Sequence, residues 1–179
     1  MVPLARVLVV ILAAGSTSLP CHGEEPPTEQ RNWFGDPFFQ VSAQGPGCPL
    51  PRGPFRTAQQ RDVQSHNRAE RGTTCWLAGT CSRPNAFHYD QDIALAFRAQ
   101  AARFPALFKG TALWVTVQGR IVFVEGCVTR AATVAALEDF TWTVPDVGHV
   151  IVRVRVGAKG EVPYPVLAAA SGSDAGRRR

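Results

Sequence analysis

The sequence predicts an α+β fold in which two helices cover one face of a three-stranded mixed sheet, with an irregular arm in front of this unit. Two observations predict it. Residues 90–157 show helical and strand periodicities in the order α-β-β-α-β, and the proline and glycine residues are concentrated before residue 85. Two amphipathic helices on one face of a sheet bury both of their apolar stripes, which makes this arrangement a stable one.

The first helix is predicted to run from Asp90 to about residue 104. Asp90 is a candidate N-cap, and Ile93, Phe97 and Ala101 recur at the spacing of one buried helical face. Pro105 follows and ends the helix, because proline lacks the backbone N–H that a continuing helix needs.

A β-hairpin is predicted next. Residues 111–118 alternate between apolar and polar side chains, and residues 121–128 are rich in β-branched residues, so both are typical of strands. Gly119 and Arg120 lie between them as a turn candidate.

A second helix and a third strand complete the predicted unit. Thr129 is the candidate cap of the helix, and Pro145 marks its end. Residues 149–156 alternate with one wholly apolar face, which predicts the last strand. The remaining residues, 158–179, are predicted to be a flexible tail because glycine, proline, alanine and serine dominate them.

Residues 24–89 form the predicted irregular arm, because repeated proline and glycine residues disfavour regular structure there. Residues 57–71 are the exception and predict a short polar helix. Six aromatic residues are more than a disordered linker usually carries, so part of the arm is expected to pack on the folded unit. They are Trp33, Phe34, Phe38, Phe39, Phe55 and Trp76.

The first 23 residues predict an export signal, and therefore a periplasmic location. Residues 7–14 are an uncharged apolar run, which is long enough for a signal-peptide core and too short to span a bilayer. A cut after Ser18 and a buried N-terminal element stay open as alternatives. Lipidation of Cys21 is a further alternative, which the unsuitable residues before it disfavour.

Removal of the signal leaves Cys48, Cys75, Cys81 and Cys127. An even number of cysteines in an exported protein predicts disulfides, and four cysteines allow three pairings. The short loop between Cys75 and Cys81 favours that local pair and leaves Cys48 to pair with Cys127. A zinc site or free thiols are the alternatives, although the sequence lacks the paired ligand spacing of zinc sites.

No residue pattern predicts a catalytic, metal or cofactor site. The sequence has no nucleophile-elbow, zinc-protease or phosphate-loop motif. Its formal net charge is +5, but the basic residues are spread along the chain, whereas nucleic-acid binders usually concentrate them on one face. The protein is therefore expected to be neither an enzyme nor a nucleic-acid binder.

Residues 90–157 resemble the BON domain of bacterial envelope proteins. The resemblance is carried by the strand–turn–strand segment 115–128, with a turn at Gly119 and a Gly-x-Val step from Gly126 to Val128, and by the valine-rich segment 144–150. The chain departs from the family pattern at Asp146, where members usually carry glycine, and at Val124, where members often carry leucine. The resemblance implies a structural role for both glycines, a positive-φ turn at Gly119 and a close-packing or bulge position at Gly126.

BON domains bind phospholipid or envelope surfaces and occur in osmotic-stress, secretin-associated and channel-associated proteins. The resemblance thus implies a non-catalytic envelope protein whose partner is anionic phospholipid at the membrane surface. The alternative partner is an envelope protein, which this chain would bind as an interaction subunit through its aromatic arm.

Any membrane contact is predicted to use the first helix and the loop after it. Arg98 and Arg103 share that helix with aromatic residues, and Phe108 and Lys109 follow it. Basic groups beside aromatic rings suit a headgroup interface, where the charges meet phosphate and the rings meet the acyl boundary. A core position for the aromatic rings is the alternative.

Overall fold

A computed structural model describes residues 29–45 and 47–168 of the chain. The predicted signal peptide, the predicted lipidation alternative at Cys21 and residues 169–179 of the predicted tail lie outside the described residues.

The described residues form one four-stranded mixed sheet with helices on one of its faces. The strands lie in chain order; the second runs antiparallel to both of its neighbours, and the last two are parallel. The elements in chain order are β1 (Phe38–Ala43), α1 (Ala58–Gly72), α2 (Thr74–Leu77), a 3₁₀ turn (Ala86–Tyr89), α3 (Asp90–Ala101), α4 (Pro105–Phe108), β2 (Ala112–Gln118), β3 (Ile121–Val128), α5 (Ala132–Trp142) and β4 (His149–Val156).

The hydrophobic core lies between the sheet and the two helices α3 and α5. Strand side chains alternate between faces, and the residues that β2 and β3 turn toward the helices are fully buried valines and a leucine. Phe97 of α3 and Phe140 of α5 meet edge to face, with their ring centroids 5.3 Å apart. The predicted mixed α+β class, the hairpin and the strand 149–156 are therefore confirmed.

The prediction of a three-stranded sheet is wrong, because β1 adds a fourth strand at the open edge of β2. This strand belongs to the predicted irregular arm and pairs antiparallel with β2, with a register irregularity between Gln40 and Ser42. No proline or glycine interrupts Phe38–Ala43, and its inward-facing Phe39 is buried in the core. The arrangement of three strands and two helices that the BON resemblance implies is not confirmed.

The polar helix predicted at residues 57–71 is present as α1, and an ion pair ties it to Asp36, just before β1. Its start is a capping box, in which the Thr57 and Gln60 side chains each accept a backbone N–H. In the C-terminal half of α1, Arg68 donates two hydrogen bonds to the buried carboxylate of Asp36, at 2.8 and 2.9 Å. The Arg68 guanidinium also lies 4.2 Å from the ring centroid of Phe34, so the arm packs on the unit as predicted.

Both predicted disulfides are confirmed. Cys48 is bonded to Cys127 with the two Cα atoms 5.9 Å apart, and Cys75 is bonded to Cys81 with a Cα separation of 5.4 Å. Disulfides persist in oxidising compartments, so the two bonds are compatible with an exported protein. Within residues 29–45 and 47–168, no helix is both long enough and apolar enough to cross a bilayer.

The start of the predicted flexible tail packs against the arm. The Leu167 N–H donates to the Leu50 carbonyl, and the Arg52 N–H donates to the Pro165 carbonyl. Tyr164 is buried, and its hydroxyl donates to the Pro49 carbonyl at 2.8 Å. The structure therefore differs from the prediction over residues 158–168, where sequence composition alone does not reveal these pairings.

Two glycines of the hairpin have the roles that the resemblance implies. Gly119 and Arg120 have φ of 63° and 67°, which is the left-handed geometry of a tight hairpin turn. Gly126 has φ of 144°, and a Cβ built there would overlap the carbonyl oxygen of Ala112 on the neighbouring strand. Gly126 is therefore a close-packing position.

Asp90 does not cap its own helix, as the sequence predicts, but serves the hairpin turn. Its carboxylate accepts the backbone N–H groups of Gly119 and Arg120, at 2.7 and 2.8 Å, while Tyr89 occupies the N-cap position of α3. The two N–H groups of the turn need an acceptor, and Asp90 is the buried side chain that supplies it. Burial raises the pKa of Asp90 to about 6, although both hydrogen bonds favour the ionised form.

This raised pKa predicts that the protein becomes more stable as the solution is acidified from neutral pH. The folded state binds a proton at Asp90 between about pH 6 and about pH 4, where the unfolded chain does not. The free energy of unfolding should therefore rise by about 2–3 kcal/mol over this window, and the gain should be lost again as the pH rises through 6. Urea denaturation at a series of pH values measures it.

Asp90→Asn should flatten that pH profile, whereas Asp92→Asn should preserve it. Asp92 is the matched control because it lies in the same first turn of α3 but is exposed in an ion pair with Arg83. A profile that is equally steep in Asp90→Asn would assign the pH dependence to another group.

Candidate functional site

The predicted membrane-contacting side chains lie on and after α3, and three of the four are exposed. Arg98, Arg103 and Lys109 are all solvent-exposed. The Arg98 guanidinium lies 4.0 Å from the ring centroid of Phe39 in β1, a cation–π contact that holds it beside the sheet edge.

The prediction that Phe108 contacts lipid is wrong. Phe108 is buried, and its ring meets that of Phe140 edge to face at 5.4 Å between centroids. The short helix α4 turns the side chain inward, so it closes one end of the core.

Two other apolar side chains of this region are exposed instead. Phe104, next to Arg103, is 51% exposed, and Leu95 on α3 is 63% exposed. Phe97 lies wholly in the core, so the two phenylalanines of the predicted helix divide between core and surface. The helical spacing of the sequence does not reveal that Phe97 is buried and Phe104 exposed. The reason is that α3 ends at Ala101, so Phe104 no longer follows the helical repeat. We call Leu95, Arg98, Arg103, Phe104 and Lys109 the α3 surface.

A groove of about 580 Å³ lies between β1 and the helices, and Arg98 of the α3 surface lines it. Gln40 and Ser42 of β1 line one side of it, and Arg98, Ala102 and Pro105 line the other. Its walls are mainly apolar, with one exposed cation.

A second concave site lies on the opposite face of the sheet, which the arm and the residues around Pro165 cover. We call it the sheet-face cavity; its volume is about 180 Å³. Its lining comes from three strands, from the turn after Cys48 and from the C-terminal segment. The lining residues are Arg52, Gly53, Arg56, Thr116, Gln118, Phe123, Glu125, Arg153 and Pro165.

The strand register places an ion pair in the floor of this cavity. Glu125 of β3 is the direct neighbour of Arg153 of β4, and Arg153 Nη2 donates to Glu125 Oε1 at 2.5 Å. Glu125 is only 3% exposed, and burial raises its pKa although the charge and hydrogen bond of Arg153 oppose this.

The cavity wall formed by the arm is held by hydrogen bonds around Arg56. Arg56 Nη1 donates to the carbonyls of Gly53 and Phe55, each at 2.7 Å. The indole N–H of Trp33 donates to the Arg56 carbonyl at 2.6 Å. Burial, followed by the nearby charge of Arg52, lowers the pKa of the Arg56 guanidinium, but arginine remains charged at neutral pH.

The residues of the sheet-face cavity form no site that is predicted from the sequence. Its charged residues come from three separate stretches of the chain, and the arm that carries two of them is predicted to be irregular. One signal was available: Glu125 is the single charged residue in the otherwise apolar strand Ile121–Val128. A buried charge of this kind needs a partner.

Among the residues that the structure describes, no group of three or more histidine, cysteine, aspartate or glutamate side chains is placed to hold a metal ion. The four cysteines beyond Cys21 are all in disulfides. The groups that line the two concave sites are arginine, carboxylate, hydroxyl, amide and apolar side chains.

Comparison of the chain with protein-family models, with curated proteins and with solved structures found no significant match.

Proposed function

We propose that this is a non-catalytic, exported envelope protein that binds anionic phospholipid at the membrane surface through a BON-like module, residues 90–157. The resemblance of the strand–turn–strand motif to BON domains motivates the proposal. The observation that carries it is the α3 surface, where exposed cations stand beside a half-exposed phenylalanine and an exposed leucine.

The α3 surface combines the two interactions that a peripheral membrane protein needs. Each lysine or arginine near an anionic leaflet contributes about 1 kcal/mol of binding free energy. Apolar side chains such as Phe104 and Leu95 add binding when they leave water for the acyl boundary. Arg98, Arg103 and Lys109 together therefore supply about 3 kcal/mol of electrostatic attraction.

The triple variant Arg98→Glu, Arg103→Glu, Lys109→Glu should bind anionic vesicles at least about 100-fold more weakly than the parent, because it removes all three attractive terms and adds repulsion. Co-sedimentation with vesicles of phosphatidylglycerol and phosphatidylcholine measures the change. Parent binding should fall steeply with salt, since exposed charges are screened within about 10 Å at moderate ionic strength.

The control is Arg71→Glu, Arg130→Glu, Lys159→Glu, which changes the net charge equally at exposed positions that do not belong to the α3 surface. It should keep most of the binding, and both variants should melt at the parent's temperature. Vesicle binding that survives the α3 reversal, or that is absent from the parent, contradicts the proposal.

One observation favours the alternative function, a protein-interaction subunit of an envelope complex. Most of the arm's aromatic residues pack within the chain, but Trp76 and Leu77 are exposed on the loop that Cys75 and Cys81 close. A rigid loop that presents a tryptophan is typical of an interface anchor. Trp76→Ala should then abolish co-purification of an envelope partner and leave vesicle binding unchanged.

A further inference from the structure

The sheet-face cavity contains an unusual concentration of unsatisfied hydrogen-bonding atoms. Within the described residues, five buried side-chain nitrogen or oxygen atoms lack a partner, and three of them belong to cavity-lining residues: Arg52 Nε, Arg153 Nε and Thr116 Oγ1. Buried polar groups are normally paired, and an unpaired one calls for an unseen water, ion or ligand. All three atoms are able to donate a hydrogen bond, so they call for an acceptor.

The charge of the cavity is also uncompensated. Arg52, Arg56 and Arg153 line it with a single carboxylate, Glu125, which leaves a net charge of about +2 if arginine is always protonated and Glu125 is ionised. Asp36, the other acid near Arg56, is already paired with Arg68, so it does not reduce this excess.

The arginines keep donors free for a ligand. Among the described residues, the Arg52 side chain has no hydrogen-bond or ion-pair partner, and Arg56 makes its two bonds through Nη1 alone. Arginine presents its N–H groups in a fork that matches the oxygens of an oxyanion. The Thr116 hydroxyl, on a residue only 3% exposed, adds a neutral donor from the sheet.

The surrounding structure positions these donors before any ligand arrives, through side-chain contacts for Arg56 and Arg153 and through the backbone for Arg52. The sheet positions Arg153 and Thr116, the carbonyl contacts fix Arg56, and the Pro165 carbonyl anchors the backbone of Arg52. The Cys48–Cys127 disulfide ties the same turn to β3. Preorganised donors lose little conformational entropy on binding, which favours a small ligand.

We infer that the sheet-face cavity binds a phosphate group in its dianionic form, as in inorganic phosphate or a phosphomonoester. The charge of such a group, about −1.5 to −2 near neutral pH, matches the net charge of the cavity, whereas a phosphodiester or carboxylate carries only one negative charge. The volume of about 180 Å³ accommodates the group. The site lies on the opposite face of the sheet from the α3 surface and does not depend on the function proposed for that surface.

Calorimetric titration of the oxidised protein with inorganic phosphate at constant ionic strength tests the inference. We expect one saturable site and a melting temperature that rises with phosphate concentration, because a ligand that binds only the folded state stabilises it by mass action. Arg52→Gln should weaken phosphate binding about tenfold or more, since it removes a charged hydrogen bond to the anion. Arg130→Gln removes the same charge from an exposed position and should leave binding unchanged.

Thr116→Val gives a second, independent readout. It replaces an unsatisfied hydroxyl by a methyl group of the same shape, so the ligand-free protein should be as stable as the parent or more stable. Its phosphate affinity should nevertheless fall about threefold to tenfold. This variant keeps the test decisive even if Arg52→Gln fails to fold.

The source of the phosphate is distinguished by two further titrations. Short-chain phosphatidic acid offers a phosphomonoester headgroup, and short-chain phosphatidylglycerol offers a phosphodiester. Both lipids are titrated into the α3 triple variant, which lacks the cations proposed to bind phospholipid on the other face. Binding of inorganic phosphate and phosphatidic acid, but not phosphatidylglycerol, supports the inference and admits a lipid source; binding of inorganic phosphate alone supports a soluble one. The absence of saturable phosphate binding, or equal binding by the parent and Arg52→Gln, overturns it.

Discussion

Gly126→Ala should be among the most destabilising single substitutions in this protein, with a loss of about 4 kcal/mol or more in the free energy of unfolding. The added Cβ would overlap the Ala112 carbonyl oxygen. Strand β3 lies between β2 and β4, so it cannot move away from β2 without disturbing its ladder with β4. Thermal denaturation should show a melting temperature lower by about 10–20 °C.

Gly157→Ala is the matched control for this effect. Gly157 also has a positive φ, 86°, but a Cβ there meets no atom within 4 Å. Its substitution should cost only the backbone strain of a left-handed residue, about 1–2 kcal/mol. Equal losses in the two variants would show that backbone conformation, rather than the approach of β2, makes glycine necessary at position 126.

Removal of the Cys48–Cys127 disulfide should cost about 4–5 kcal/mol, because the bond closes a long loop whose entropy in the unfolded chain then rises. The two cysteines are 79 residues apart. The double variant Cys48→Ala, Cys127→Ala should unfold at lower urea concentration, and hydrogen exchange should rise first in β1 and in the turn that carries Arg52 and Arg56.

The pair Cys75→Ala, Cys81→Ala is the corresponding control. This bond joins cysteines only 6 residues apart, so its removal should cost about 2 kcal/mol by the same loop-closure relation. It should also leave hydrogen exchange in β1 unchanged. A larger loss for the short loop than for the long one would rule out loop entropy as the main contribution.

The helices and strands that hydrophobic periodicity predicts correctly are those that pack against elements close to them in the chain. The hairpin and the strand His149–Val156 have strong alternating patterns, and their residues pack on helices that follow or precede them directly. Strand β1 is not predicted because it is only 6 residues long and lies among prolines. It becomes a strand only by pairing with the edge of β2, which lies far along the chain. Tertiary context determines such a segment more than its own propensity does.

The two concave sites were predictable to different extents. The sequence identifies the cations of the α3 surface because they lie close together in the chain, on α3 and just after it. It misassigns Phe108 to the lipid contact, since the turn made by α4 decides which aromatic residue faces inward. The sheet-face cavity as a whole was not predictable, because Arg52 and Arg153 are brought together only by the disulfide, strand β4 and the C-terminal segment. Two arginines so far apart in the chain give no sign in the sequence that they line one cavity.

The attachment of β1 to the sheet also has a consequence for how the molecule assembles. Pairings between distant parts of a chain form late because their loop-closure cost comes first, so the β2 edge stands open while the hairpin and its helices form. An open strand edge is a template for the same segment of another molecule. The Cys48–Cys127 disulfide holds the arm on its own chain and so prevents strand-swapped dimers. Chains refolded under reducing conditions at high concentration should exchange their N-terminal arms, whereas oxidised chains should stay monomeric.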